Sequence, residues 1–137
     1  MKRLFDRVLR IAIGGVFLLY ALAKFSGTQF SHFEIHEATS DVAPVTLVWY
    51  FFGYSKAYAM FIASGELLAG LTVLFRRTYK FGLLVYFSIA LNVTVLDWSF
   101  GLPLQATLLA TSLALASLYL IVQERTTYAR LFESDAT

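Results

Sequence analysis

The sequence predicts an all-α integral membrane protein, a four-helix bundle with a short interfacial or re-entrant segment before the second span. Three observations predict this. Of 137 residues, 58% are hydrophobic and only 15% charged, with a mean hydropathy of +0.67. A soluble domain carries about 25% charge, and a small one needs a polar surface because so much of it meets solvent. Four apolar runs approach the roughly 20 residues that a helix needs to cross a bilayer core. Finally, these runs show no sustained alternation and no internal turn signals, which argues against transmembrane strands.

The first span is Val8–Phe25, with Arg10 near its start and Lys24 at its end. Its neighbourhood also fits a signal-peptide pattern: basic Met1–Arg10, apolar Ile11–Tyr20 and the small-residue Ala21-Leu22-Ala23. We expect the segment to be retained as a span. Val42–Tyr54 is apolar but too short to cross, and it contains Pro44 and Gly53; it reads as an interfacial or re-entrant lead into the second span. That span is Ala57–Phe75, interrupted only by Glu66. The third is Phe81–Leu96, closed by Asp97, and the fourth is the uncharged Leu104–Val122. No linker, repeat or low-complexity tract divides them, so residues 1–137 are expected to form one transmembrane domain.

Composition also excludes several classes of function. A low-charge chain with 17% aromatic residues buries too much apolar surface to stay disordered. Without cysteine there is no disulfide scaffold, thiol nucleophile or Cys-ligated metal. A net charge of +2 argues against nucleic acid as a partner. The positions of the charges are more informative than their sum. With the N-terminus inside, nine of the eleven Lys and Arg residues lie on the inner side, and only Lys24 and Lys56 lie outside. That asymmetry predicts cytoplasmic termini. Trp49 and Trp98 then fall at the outer interface with Tyr50, Tyr54 and Tyr58, as an aromatic belt requires.

Glu66 lies near the middle of the second span. An ionised carboxylate there costs at least about 2.5–3.5 kcal/mol, so it should face protein or water. Ala59, Ala63, Glu66 and Gly70 share one helical face, a small-residue stripe suited to close packing. Glu66 is then either a hydrogen-bonded link between helices or a functional group: a proton relay, an ion or substrate site, or a cofactor contact. Asn92 in the third span and Thr111 or Ser112 in the fourth fall near the same depth, with Ser88 one turn from Asn92. A polar layer of these residues around Glu66 would satisfy the carboxyl. Lys24 is expected to snorkel to the interface, because the helical rise leaves it about 10 Å or more from Glu66 in depth. Asp97, beside Trp98, is expected to be interfacial and solvated, with pairing to Lys24 or Lys56 as the alternative. The candidate cofactor-binding residues are thus Lys24, Glu66, Asn92 and Thr111, with no catalytic set and no metal set. His32 and His36 have an i, i+4 spacing that could ligate a metal on a helix, but no third ligand is evident and a solvated loop is the default. Trp49–Tyr54 is a candidate docking surface, with membrane anchoring as the alternative.

Two stretches carry a family resemblance. Arg10-Ile11-Ala12-Ile13-Gly14-Gly15-Val16-Phe17-Leu18-Leu19-Tyr20-Ala21-Leu22-Ala23-Lys24-Phe25 resembles the first helix of DoxX-like proteins. Gly65-Glu66-Leu67-Leu68-Ala69-Gly70, followed by Arg76-Arg77, resembles their second-helix motif. The resemblance spans nearly the whole chain and implies a small four-helix protein of the inner membrane. Through DoxD relatives it implies association with quinone-linked oxidation of sulfur compounds, with Lys24, Glu66 and the nearby glycines as the positions that carry over. The absence of cysteine argues against a self-contained thiol-oxidising role. The expected function is therefore a non-catalytic accessory subunit of a membrane redox or other envelope complex, contacting quinone or lipid. Its partners would be membrane lipid and a protein of that complex or further copies of itself. The alternative is a proton-coupled carrier that uses Glu66, although no broken helix pair marks matching halves.

Overall fold

The structure, a computed structural model, describes residues 2–30 and 42–130. Its elements in chain order are α1 (Lys2–Phe25), α2 (Pro44–Tyr54), α3 (Lys56–Leu74), α4 (Tyr79–Phe100), α5 (Leu104–Gln123) and α6 (Arg125–Ala129). Among the described residues, α1, α3, α4 and α5 are long and apolar enough to cross a membrane. The chain is a multi-pass, all-α membrane protein. α1 packs on α3, α3 on α4 and α4 on α5, and α5 closes the ring against α1. The outer surface carries large apolar side chains such as Leu19, Phe81 and Leu115, as a lipid-facing surface should.

The helix ends follow local chemistry. α1 stops at Phe25, where Gly27 adopts φ +72° and the Ser26 and Thr28 hydroxyls donate to the Ala23 carbonyl. Pro44 opens α2 rather than breaking it, because a first-turn position has no intrahelical partner for the missing N–H. Ser55 ends α2 with extended backbone and caps α3 by accepting from the Tyr58 amide at 3.3 Å. α2 is too short to cross, as expected, and packs against α3 and α4. α4 corrects one boundary. It continues through Asp97 to Phe100 and ends where Gly101 takes φ +65°, two residues before Pro103. A single aspartate does not stop a helix, whereas glycine in the left-handed conformation does.

The small-residue stripe of α3 is buried throughout: Ala59, Ala63, Glu66 and Gly70 all face inward. At its lower end α1 and α3 approach closely. A Cβ on Gly70 would lie 3.0 Å from the Gly14 carbonyl oxygen, so a side chain here requires the α1 backbone to give way. Next to it Tyr86 is fully buried, stacked on Phe17 with ring centroids 3.7 Å apart, and its hydroxyl donates to the Ile13 carbonyl at 3.0 Å. Ile13, Phe17, Ala69, Val73, Leu83, Tyr86 and Leu120 belong to one packed core in this half of the bundle. The bundle is therefore filled between its middle and the ring of Arg3, Arg7, Arg10 and Arg76 that marks the basic end. The opposite, aromatic end is built differently.

Candidate functional site

A cavity of about 440 Å³ occupies the aromatic half of the bundle. Each of the four spanning helices contributes to its wall. Phe17, Tyr20 and Lys24 come from α1, and Glu66 with Tyr58, Phe61, Ile62 and Gly65 from α3. Asn92 and Asp97 come from α4 with Ser88 and Ile89, while α5 adds Ala110 and Leu113. α2 lies along its side with Val48, Trp49 and Phe52, and Gln29 and Phe30 follow the end of α1. Most of this lining is apolar or aromatic, with a few convergent polar groups, which is the usual make-up of a small-molecule pocket.

The strongest polar feature is an ion pair. The Lys24 ammonium lies 2.7 Å from Glu66 Oε2 and 2.9 Å from Oε1, and the two residues are only 7% and 3% exposed. This overturns the expectation that Lys24 snorkels to the interface out of reach of Glu66. Counting helical rise compares backbone depths, yet side chains lean towards the N-terminus of their own helix. α1 and α3 run in opposite directions, so Lys24 leans down into the bundle and Glu66 leans up. The two leans close the gap. The ammonium also sits 5.4 Å from the ring centroids of both Tyr20 and Phe30, so π faces share in holding the charge.

The expected polar layer does not form. Asn92 is exposed and lines the cavity, but makes no hydrogen bond to Glu66. Thr111 turns away: its hydroxyl donates to the Thr107 carbonyl at 2.7 Å and accepts from the Trp98 indole at 3.1 Å, tying α5 to α4. Ser112 and Ser88 donate to backbone carbonyls of their own helices, Leu109 and Leu84. Serine and threonine in spans commonly satisfy themselves this way, which leaves Lys24 as the partner of Glu66 among the described residues. His32 and His36, the candidate metal pair, lie outside the described residues.

Asp97 is the residue that sequence reasoning misplaced. Instead of being solvated at the interface it is 4% exposed and lines the cavity. Among the described residues its carboxylate makes no ion pair and no side-chain hydrogen bond. The periodicity of α4 held the signal. Tyr86, Ala90 and Asp97 are spaced i, i+4, i+11, and all three are buried on one face. Extending the third span by one turn would have carried Asp97 inward. The aromatic segment Trp49–Tyr54 also divides. Trp49 and Phe52 turn to the cavity and pack against Phe30, with ring centroids 5.9 and 5.3 Å away, while Phe51 and Tyr54 are exposed.

A second, polar recess of about 250 Å³ lies at the basic end, among Arg3, Asp6, Arg7, Arg10, Arg76 and Glu124. Here Lys80 pairs with Glu124 at 2.8 Å, Tyr79 donates to the same carboxylate, and the Tyr128 hydroxyl donates to the Lys80 carbonyl at 2.7 Å. Burial alone would raise the Glu124 carboxyl, but hydrogen bonds from Lys80, Tyr79 and Thr127 with the Lys80 charge outweigh it and hold the group below its ordinary value. This network fastens α6 to the start of α4.

Comparison with known proteins adds little chemistry. No protein-family model matches the chain. It is similar to "Uncharacterized protein YwoB" of Bacillus subtilis (strain 168), at 29% identity over 126 residues, covering 92% of this chain and 80% of that protein. No solved structure matches.

Proposed function

We propose that this protein is a membrane-embedded binding subunit. Its cavity takes the head of an amphipathic molecule out of the bilayer, in the service of a larger membrane complex. The observation that carries this reading is the asymmetry of the bundle: a hollow aromatic half with the Lys24–Glu66 pair on its wall, above a packed half. A carrier would need a route to both ends, and the Phe17–Tyr86 stack and the Gly14–Gly70 crossing occupy that route. The charge asymmetry supports cytoplasmic termini, so that the cavity lies in the outer half of a cell's inner membrane. An accessory role fits the apolar outer surface and the resemblance to DoxX-like proteins, which also makes a quinone-linked complex the first partner to seek.

The test is to purify the protein from its native membranes in mild detergent and to identify co-purifying proteins and organic-extractable molecules by mass spectrometry. The expected result is a bound amphipathic molecule and a protein partner. Gly65→Leu provides the control. A Cβ there meets only Ile89 Cδ1, at 4.0 Å, so the larger side chain enters the cavity without a backbone clash. This variant should remain folded and lose the bound molecule. An empty, solitary chain that keeps full biological activity would overturn the proposal.

A further inference from the structure

Among the described residues, the ionisable groups on the cavity wall, tyrosines aside, are Lys24, Glu66 and Asp97. Lys24 and Glu66 neutralise each other at 2.7 Å. Asp97 is left over, 4% exposed, with no partner among the described residues. A buried carboxylate without a partner is costly, and its cost is removed by a charged donor. The second unsatisfied group points the same way: the Gln29 side-chain oxygen is buried with no hydrogen-bond partner among the described residues, and Gln29 also lines the cavity. Both vacancies are acceptors, so the molecule that fills the cavity must bring donors. A quinone brings only acceptors and would leave Asp97 uncompensated. The rings of Trp49, Phe52 and Tyr58 on the wall favour a cation with an apolar body, those of Tyr20 and Phe30 being engaged by Lys24. A volume of about 440 Å³ falls in the range of small-molecule sites.

Resting on the reading of the cavity as a binding site, we propose that its ligand is a hydrophobic monocation, an aryl- or alkyl-ammonium whose N–H groups meet Asp97. The Lys24–Glu66 pair is then the neutral wall of the site, and Asp97 is its charge-recognition group. The apolar body of the ligand lies among the rings, continuous with the acyl region from which it enters.

The experiment places the full chain in phosphatidylcholine nanodiscs. Binding of 4-phenylbutylamine and of the neutral 4-phenylbutanol is measured by calorimetry, with empty nanodiscs subtracted. The amine should bind about tenfold tighter than the alcohol, since one charge-assisted hydrogen bond is worth that much. Asp97→Asn should bring the ratio to about one, and Asp97→Glu should retain a preference for the amine. Equal binding of amine and alcohol to the unmutated chain overturns the cationic ligand and leaves the binding cavity standing. Binding of neither overturns both readings. A preference that survives Asp97→Asn in a folded variant overturns the role of Asp97. If that variant fails to fold, the ratio measured on the unmutated chain still decides.

Discussion

The Lys24–Glu66 pair is the residue-scale feature with the largest energetic consequence. Two charges in a low-dielectric interior pay a desolvation cost that their attraction largely offsets. Removing one partner leaves the other buried alone, and we expect Lys24→Met or Glu66→Gln to destabilise the protein by about 3–5 kcal/mol. The double substitution Lys24→Met, Glu66→Leu should recover most of that loss, because no charge is left without a partner. Thermal unfolding in detergent, run as a double-mutant cycle, checks this; single and double variants of equal stability would contradict the buried pair. The burial of Glu66 was legible in the sequence, since a carboxylate on a small-residue face has no alternative to facing inward. Its partner was not. Helical rise places backbones, and the pair is made by side chains that lean towards each other from oppositely directed helices.

At the scale of elements, the α1–α3 crossing sets how closely the two sides of the cavity approach. The Gly14–Gly70 contact lets the backbones meet, so a side chain at Gly70 pushes α1 away. Gly70→Val should cost about 1–3 kcal/mol by overpacking. Gly15→Ala is the matched control, because a Cβ at Gly15 meets nothing within 4 Å. It should be neutral or stabilising by up to about 1 kcal/mol through helix propensity. Denaturation of the two variants side by side checks the contrast, and equal losses would show that the crossing is not tight. The short α2 was legible as a segment too brief to cross, from its length and Pro44. That Trp49 and Phe52 would line a cavity while Phe51 and Tyr54 stay outside was not, because a continuous aromatic run carries no periodic mark of its inner face.

For the whole molecule, the distribution of charge predicts its place in the membrane. With cytoplasmic termini, the turn between α3 and α4 faces inward and the segment between α1 and α2 faces outward. Cysteine introduced at Ser40 should be labelled by an impermeant reagent from outside intact cells, and cysteine at Thr78 only after lysis. The reverse pattern would invert the bundle and place the cavity in the inner leaflet.

The number of spans, their helical nature and the inward face of α3 were determined by the sequence alone, because apolar length and helical period are local properties that packing does not rewrite. The end of α4 was equally local: Gly101 marked it, although Asp97 drew attention first. Tertiary structure decided what those faces meet. Lys24 reaches Glu66, Asn92 stays apart, and Asp97 turns into a space that α2 helps to enclose. Each depends on the relative depth, direction and rotation of helices distant in the chain, and on side-chain reach of several ångströms, to which hydropathy and spacing along one helix are blind.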